Sequence, residues 1–130
     1  VLRGATGSPM IEIYGSEHIH LDHLTVYGGF PGLLINASKD IRVTNCAFRG
    51  LAAPWSGRAH MKYYGTASYQ IVFQNSQPVN ENVELAHCEF TDDHDFAFFR
   101  YIKNLQFHHN FVDNFNDDGL ECGPKLRSHT

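Results

Sequence analysis

Four stretches of the chain share one arrangement of apolar and polar positions: "HIHLDHLTVYG" (18–28), "DIRVTNCAFRG" (40–50), "NVELAHCEFTD" (82–92) and "NLQFHHNFVDN" (104–114). Aligned, Ile19, Ile41, Val83 and Leu105 fall in one column, and Leu21, Val43, Leu85 and Phe107 in the next apolar one. Leu24, Cys46, Cys88 and Asn110 follow, then Val26, Phe48, Phe90 and Val112. Within each copy apolar residues alternate, skip one residue and resume. Alternation marks a strand with one buried face, and the skip marks a bend that keeps the next apolar residue inside.

The copies lie 22 residues apart, except for 42 between the second and third. So short a period excludes the common helical repeats of about 33 to 47 residues. The leucine-rich repeat has a similar period, but its L-x-x-L-x-L-x-x-N pattern is not kept, and the wealth of Val, Ile, Phe, Thr and Asn favours strands over a helical return. A third strand follows in the repeat: "GLLIN" from Gly32, "AFFRY" from Ala97 and "GLECG" from Gly119. Leu33, Phe98 and Leu120 are expected to point inward from it.

The pattern therefore predicts an all-β chain, a parallel β-helix (solenoid) with coils of about 22 residues and three short strands per coil. Residues 1–130 form one domain, with coils near 18–39, 40–81, 82–103 and 104–125. Residues 51–82 hold either a degenerate coil or a long loop before the strand "YQIVFQN", and Trp55, Tyr63, Tyr64 and Tyr69 there suit an insertion overhanging one face. Neither end offers a polar amphipathic cap. A solenoid end exposes unpaired strand edges, so the chain is expected to be a slice of a longer solenoid, or to meet another subunit end to end.

Composition narrows the function. With 42% hydrophobic and 13% aromatic residues there is enough apolar material for one ordinary core. A net charge of −4 leaves no basic footprint, which argues against nucleic acid. The longest apolar run falls short of about 18 residues, so no membrane-spanning helix is expected. Cys46, Cys88 and Cys122 form no C-x-x-C pair, and Cys46 and Cys88 read as an interior column rather than a disulfide. "NAS" at Asn36 fits the glycosylation acceptor pattern. His23, Asn45, His87 and His109 share a column at the bend, read as a ladder satisfying turn backbone groups in preference to a metal site.

The acidic runs carry the candidate chemistry. "TDDHD" (91–95) precedes "NDDGLEC" (116–122) by about one coil. With Leu120 and Cys122 inward, Asp117, Gly119 and Glu121 face outward, as do Asp95, Ala97 and Phe99 one copy earlier, so Ala97 pairs with Gly119 and Asp95 stacks on Asp117. Two carboxylates about 4.8 Å apart repel by roughly 3.5 kcal/mol at an effective dielectric of about 20. Either a cation neutralises them, or one carboxyl stays protonated and serves as a general acid. Asp92, Asp93, Asp95, Asp117 and Asp118 offer hard oxygen ligands suited to Ca²⁺. A turn that merely favours Asp and Asn for local hydrogen bonding is the plainer alternative. His94 and Arg100 join the catalytic candidates, and Phe99, Tyr101, Glu121 and Lys125 are the candidate substrate contacts.

The repeats over residues 18–122 resemble the right-handed parallel β-helix proteins of the pectate-lyase-like class, which act mostly on polysaccharides. Within it, "DDHDFAFF" followed by "NDDGLEC" is similar to the polygalacturonase arrangement, in which an N-T-D motif precedes a D-D pair by about one coil. Asp93 and His94 stand where that family has Asn and Thr, and Gly119 where it has Cys. The resemblance implies Asp117 as general acid, with Asp95 and Asp118 as the bases that activate water in an inverting hydrolysis. It also implies a polysaccharide or oligosaccharide ligand and a secreted, periplasmic or cell-surface location. Two further readings stand beside it. One is a Ca²⁺-dependent lyase with Arg100, Lys103 or Lys125 as base. The other is a non-catalytic glycan-binding or structural solenoid.

Overall fold

The computed structural model describes residues 1–3, 8–29, 31–50, 69–74, 78–93, 95–115 and 120–122. These residues form strands and turns with no helix among them. β1 (Leu2–Arg3) precedes a first coil of β2 (Ile11–Tyr14), β3 (Glu17–Asp22) and β4 (Thr25–Tyr27). β5 (Leu33–Asn36), β6 (Lys39–Thr44) and β7 (Ala47–Arg49) make the second, and β8 (Tyr69–Gln74), β9 (Asn80–Ala86) and β10 (Glu89–Asp93) the third. β11 (Asp95–Phe99), β12 (Ile102–His108) and β13 (Phe111–Phe115) make the fourth, and β14 (Leu120–Cys122) follows. Equivalent strands of successive coils pair in parallel, so three sheets run the length of the stack. The first contains β2, β5, β8, β11 and β14, the second β3, β6, β9 and β12, and the third β1, β4, β7, β10 and β13. The chain is a β-solenoid of about four turns.

The columns read from the sequence are the columns of the core through the second and third coils, while Phe107 and Val112 in the fourth are exposed. Ile19, Ile41, Val83 and Leu105 are register partners in the second sheet, and Val26, Phe48, Phe90 and Val112 in the third. Phe48 and Phe90 stack face to face with centroids 5.4 Å apart, an arrangement set by in-register parallel pairing. Cys46 and Cys88 are free and buried inside.

The skipped residue has a backbone cause. His23, Asn45, His87 and His109, between the second and third sheets, have φ of 54°, 52°, 55° and 55°. A single left-handed residue turns the chain and breaks the alternation, and Asn and His enter that region more readily than most residues. Three further columns repeat the device: His18, Asp40, Asn82 and Asn104 at a bend within the strands of the second sheet; Gly28, Asp92 and Asn114 at or near the ends of those of the third; and Gly15, Ala37 and Tyr101 between the first and second sheets.

The register bears on three expectations. First, β6 pairs directly with β9 and β7 with β10, so the second and third layers are adjacent across the interval of 42 residues. The longer interval belongs to the connections on either side of β8. Second, Leu33, Ile71, Ala97 and Leu120 form one column, which pairs Ala97 with Leu120 rather than with Gly119. One extra residue between β13 and β14 produces this shift. Third, Ala97 points inward with no exposure while Phe98 is half-buried, the reverse of the expected orientation. Asp95 and Phe99 are buried with Ala97 instead of facing out.

Candidate functional site

The acidic end of the third and fourth coils is only partly within the described residues. His94, Asp117, Asp118, Gly119 and Lys125 lie outside them, as do Trp55, Tyr63 and Tyr64, and Glu121 is placed only by its backbone register with Phe98. Asp93 and Asp95, each 3% exposed, are enclosed. Asp92 sits at a left-handed corner, where Thr91 Oγ1 donates to its Oδ2 at 2.9 Å and Asn114 Nδ2 to its Oδ1. Phe99 is a core side chain, edge-on to Phe73 at 5.2 Å, and leaves no open face for a sugar ring. The Arg100 guanidinium lies 3.8 Å from the centroid of Phe98, and Tyr101 occupies a left-handed corner half-buried. Lys103 Nζ is engaged by Glu81 Oε1 at 2.9 Å. Among the described residues, Asp92, Asp93 and Asp95 do not converge on one ligand position.

The structure instead gathers polar side chains on the outer face of the second sheet. Two columns run side by side there. His18, Asp40, Asn82 and Asn104 form the left-handed column, tied coil to coil by Asn82 Nδ2 donating to Asp40 Oδ1 at 2.8 Å and Asn104 Nδ2 to Asn82 Oδ1 at 3.0 Å. Two residues on, His20, Arg42, Glu84 and Gln106 are register partners, and Arg42 Nε donates to Glu84 Oε2 at 2.7 Å. Between the columns runs an open groove of about 650 Å³ that spans all four coils. Arg42 first, and His108 more weakly, hold the Glu84 carboxyl below its ordinary range.

A second network next to the groove reaches it through His20. Thr44 Oγ1 and Asn45 Nδ2 donate to Asp22 Oδ1 at 2.6 and 2.9 Å, and His23 Nδ1 lies 2.6 Å from Oδ2. These bonds, Thr44's foremost, keep Asp22 well below the usual carboxylate range. Because the Thr44 hydroxyl hydrogen goes to Asp22, its oxygen accepts from His20 Nε2 at 2.8 Å, which fixes the His20 ring.

Sequence reasoning passed over this face because, among polar positions, it weighed only the corner column of His23, Asn45, His87 and His109 and the acidic runs. The signal lay across copies, in the column of His20, Arg42, Glu84 and Gln106 on the side of the strand opposite Ile41 and Val83. The arrangement suits hydrogen bonding to a long ligand, since donors and acceptors recur at each coil, about 4.8 Å apart. The chain matches no family model, no curated protein and no solved structure.

Proposed function

We propose that the protein is a polysaccharide-binding β-solenoid whose ligand lies along the groove of the second sheet, across the coils. The observation that carries this reading is the pair of parallel polar columns, from His18 to Asn104 and from His20 to Gln106, bordering one groove. A linear polymer of like units meets there a repeating set of amide, imidazole and guanidinium groups, the side chains that hydrogen-bond sugar hydroxyls. Membership of the pectate-lyase-like class and a secreted or cell-surface location go with this reading.

A second reading adds cleavage. It is favoured by two buried carboxylates, Asp93 and Asp95, close together in the chain at the acidic run that the resemblance singles out. Hydrolysis would draw its acid and bases from Asp95, Asp117 and Asp118. A lyase would add Ca²⁺ held by the same acidic group.

Affinity electrophoresis through gels containing neutral or uronate polysaccharides tests the binding. Retardation is expected in at least one gel, with affinity reduced about tenfold, or about 1.4 kcal/mol, in the double variant His20→Ala/Gln106→Ala. Free migration in every gel sinks the proposal. Incubation with a retained polysaccharide then separates the mechanisms. New reducing ends without metal mean hydrolysis, ultraviolet-absorbing products that require Ca²⁺ mean elimination, and neither means binding alone.

A further inference from the structure

The corner between the second and third sheets holds more than a backbone turn. His87 and His109 occupy the left-handed position in successive coils, their rings stacked at 4.9 Å with 16° between planes. His108, at the end of β12, stands edge-on to both, with centroids 6.0 Å from His87 and 5.1 Å from His109. One nitrogen from each of the three rings lies within 4.8 Å of the other two.

The hydrogen bonds fix how these rings face each other. His108 Nε2 lies 3.3 Å from Glu84 Oε1, and Glu84 is itself held by Arg42. An ionised carboxylate only accepts, so Nε2 of His108 carries the proton and its Nδ1 presents a lone pair. That lone pair points at His109, whose Nδ1 is 2.8 Å away. A carboxylate behind one nitrogen of an imidazole, leaving the other free, is the arrangement that orients metal-ligating histidines.

We propose that His87, His108 and His109 form a binding site for a borderline divalent transition-metal ion such as Zn²⁺, with Glu84 as the positioning residue behind His108. The three rings lie outside the glycan groove, whose lining includes Glu84 but none of the histidines of this set, and the site does not depend on the groove's being used. Three neutral imidazoles suit Zn²⁺, Ni²⁺ or Cu²⁺ and are poor ligands for Ca²⁺. A tetrahedral ion about 2.0–2.1 Å from each nitrogen needs them roughly 3.4 Å apart. The His108–His109 pair, 2.8 Å apart at Nδ1, then opens by about half an ångström. That movement is small, and both His87 and His109 lie exposed at the surface.

Earlier coils do not repeat the set. Thr44 and Asn45 stand in the second coil where His108 and His109 stand in the fourth, and Asp22 and His23 in the first. Three protein ligands leave a fourth position, which opens onto a groove of about 590 Å³ bordered by Asn45, Glu89 and Phe111. Water or a small ligand completes the coordination there.

Zn²⁺ titrated calorimetrically into metal-free protein, with Co²⁺ absorption as a second readout, tests the site. One equivalent is expected to bind in the wild type. His108→Ala and His109→Asn should each weaken binding more than about 100-fold, and Glu84→Gln about 10- to 100-fold. His109→Asn retains a residue tolerant of the left-handed corner, so its loss of binding cannot be laid to unfolding. His18→Ala and His23→Ala should bind as the wild type does. No binding in the wild type, or one equivalent surviving in the His108→Ala/His109→Asn double variant, overturns the proposal.

Discussion

A residue at φ near +55° places its Cβ against the following carbonyl, at a cost of roughly 1–2 kcal/mol for most L-residues. The corners of this solenoid spread that cost over His, Asn and Asp side chains, and at Gly15 they avoid it. Gly15 has φ of 55°, and a Cβ added there meets nothing within 4 Å. Gly15→Ala therefore isolates the dihedral penalty from any clash. Urea unfolding should show a loss of about 1 kcal/mol with an unchanged denaturant slope. At this scale the sequence was half legible. Asn45 and His87 betray their corner because their side chains tolerate it, whereas Ala37 and Tyr101, with φ of 50° and 55°, carry no such mark. His108 was illegible for another reason. It lies on the outer face of a strand, and only the stacking of coils brings it to His87 and His109.

Strands are held in register by apolar columns inside and by a few buried polar side chains at the corners. Asn80, fully buried, is one of these: its Oδ1 accepts from the Ser38 backbone N–H at 3.0 Å, one coil away. Asn80→Ala leaves that N–H buried and unsatisfied, and chemical unfolding should register a loss of about 1–3 kcal/mol. Element existence was readable across the aligned copies, since period-two alternation over Ile41 and Val43, or Val83 and Leu85, admits few alternatives, whereas β1 and β2 precede the first copy and were not foreseen. Register failed where a connection changed length by one residue. A strand shifted by one presents its opposite face. That is why Ala97 was expected outside and Phe98 inside, and why the candidate stacking of Asp95 on Asp117 rested on a pairing that the β11–β14 register does not keep.

Taken as a whole, the molecule joins its layers by charge as well as by hydrogen-bonded strands. Arg42 reaches Glu84, and Arg49 reaches Glu89 through two bonds of 2.7 and 3.0 Å, each across the joint between the second and third coils. These partners, the arginines first, lower the pKa of Glu84 and of Glu89 from 4.5. A lowered folded-state value means stability that is complete above the unfolded-state value and lost as pH falls through the folded one. The melting temperature should thus decline as pH drops below about 4.5, and Glu84→Gln with Glu89→Gln should flatten the decline. The arginine of the Arg42–Glu84 pair is 59% exposed, so solvent screening limits that pair to about 0.2–1 kcal/mol.

The same joint differs from its neighbours in the time before it forms. Hydrogen-bonded partners in the second and third sheets stand 22 residues apart in sequence within either half of the stack, but 42 apart between Ile41 and Val83. Closing the longer span costs about 0.6 kcal/mol more chain entropy, since the term grows only with the logarithm of length. So slow a growth lets the solenoid carry its added chain between β7 and β9 almost without penalty, while making the meeting of its two halves the least favoured closure along the stack.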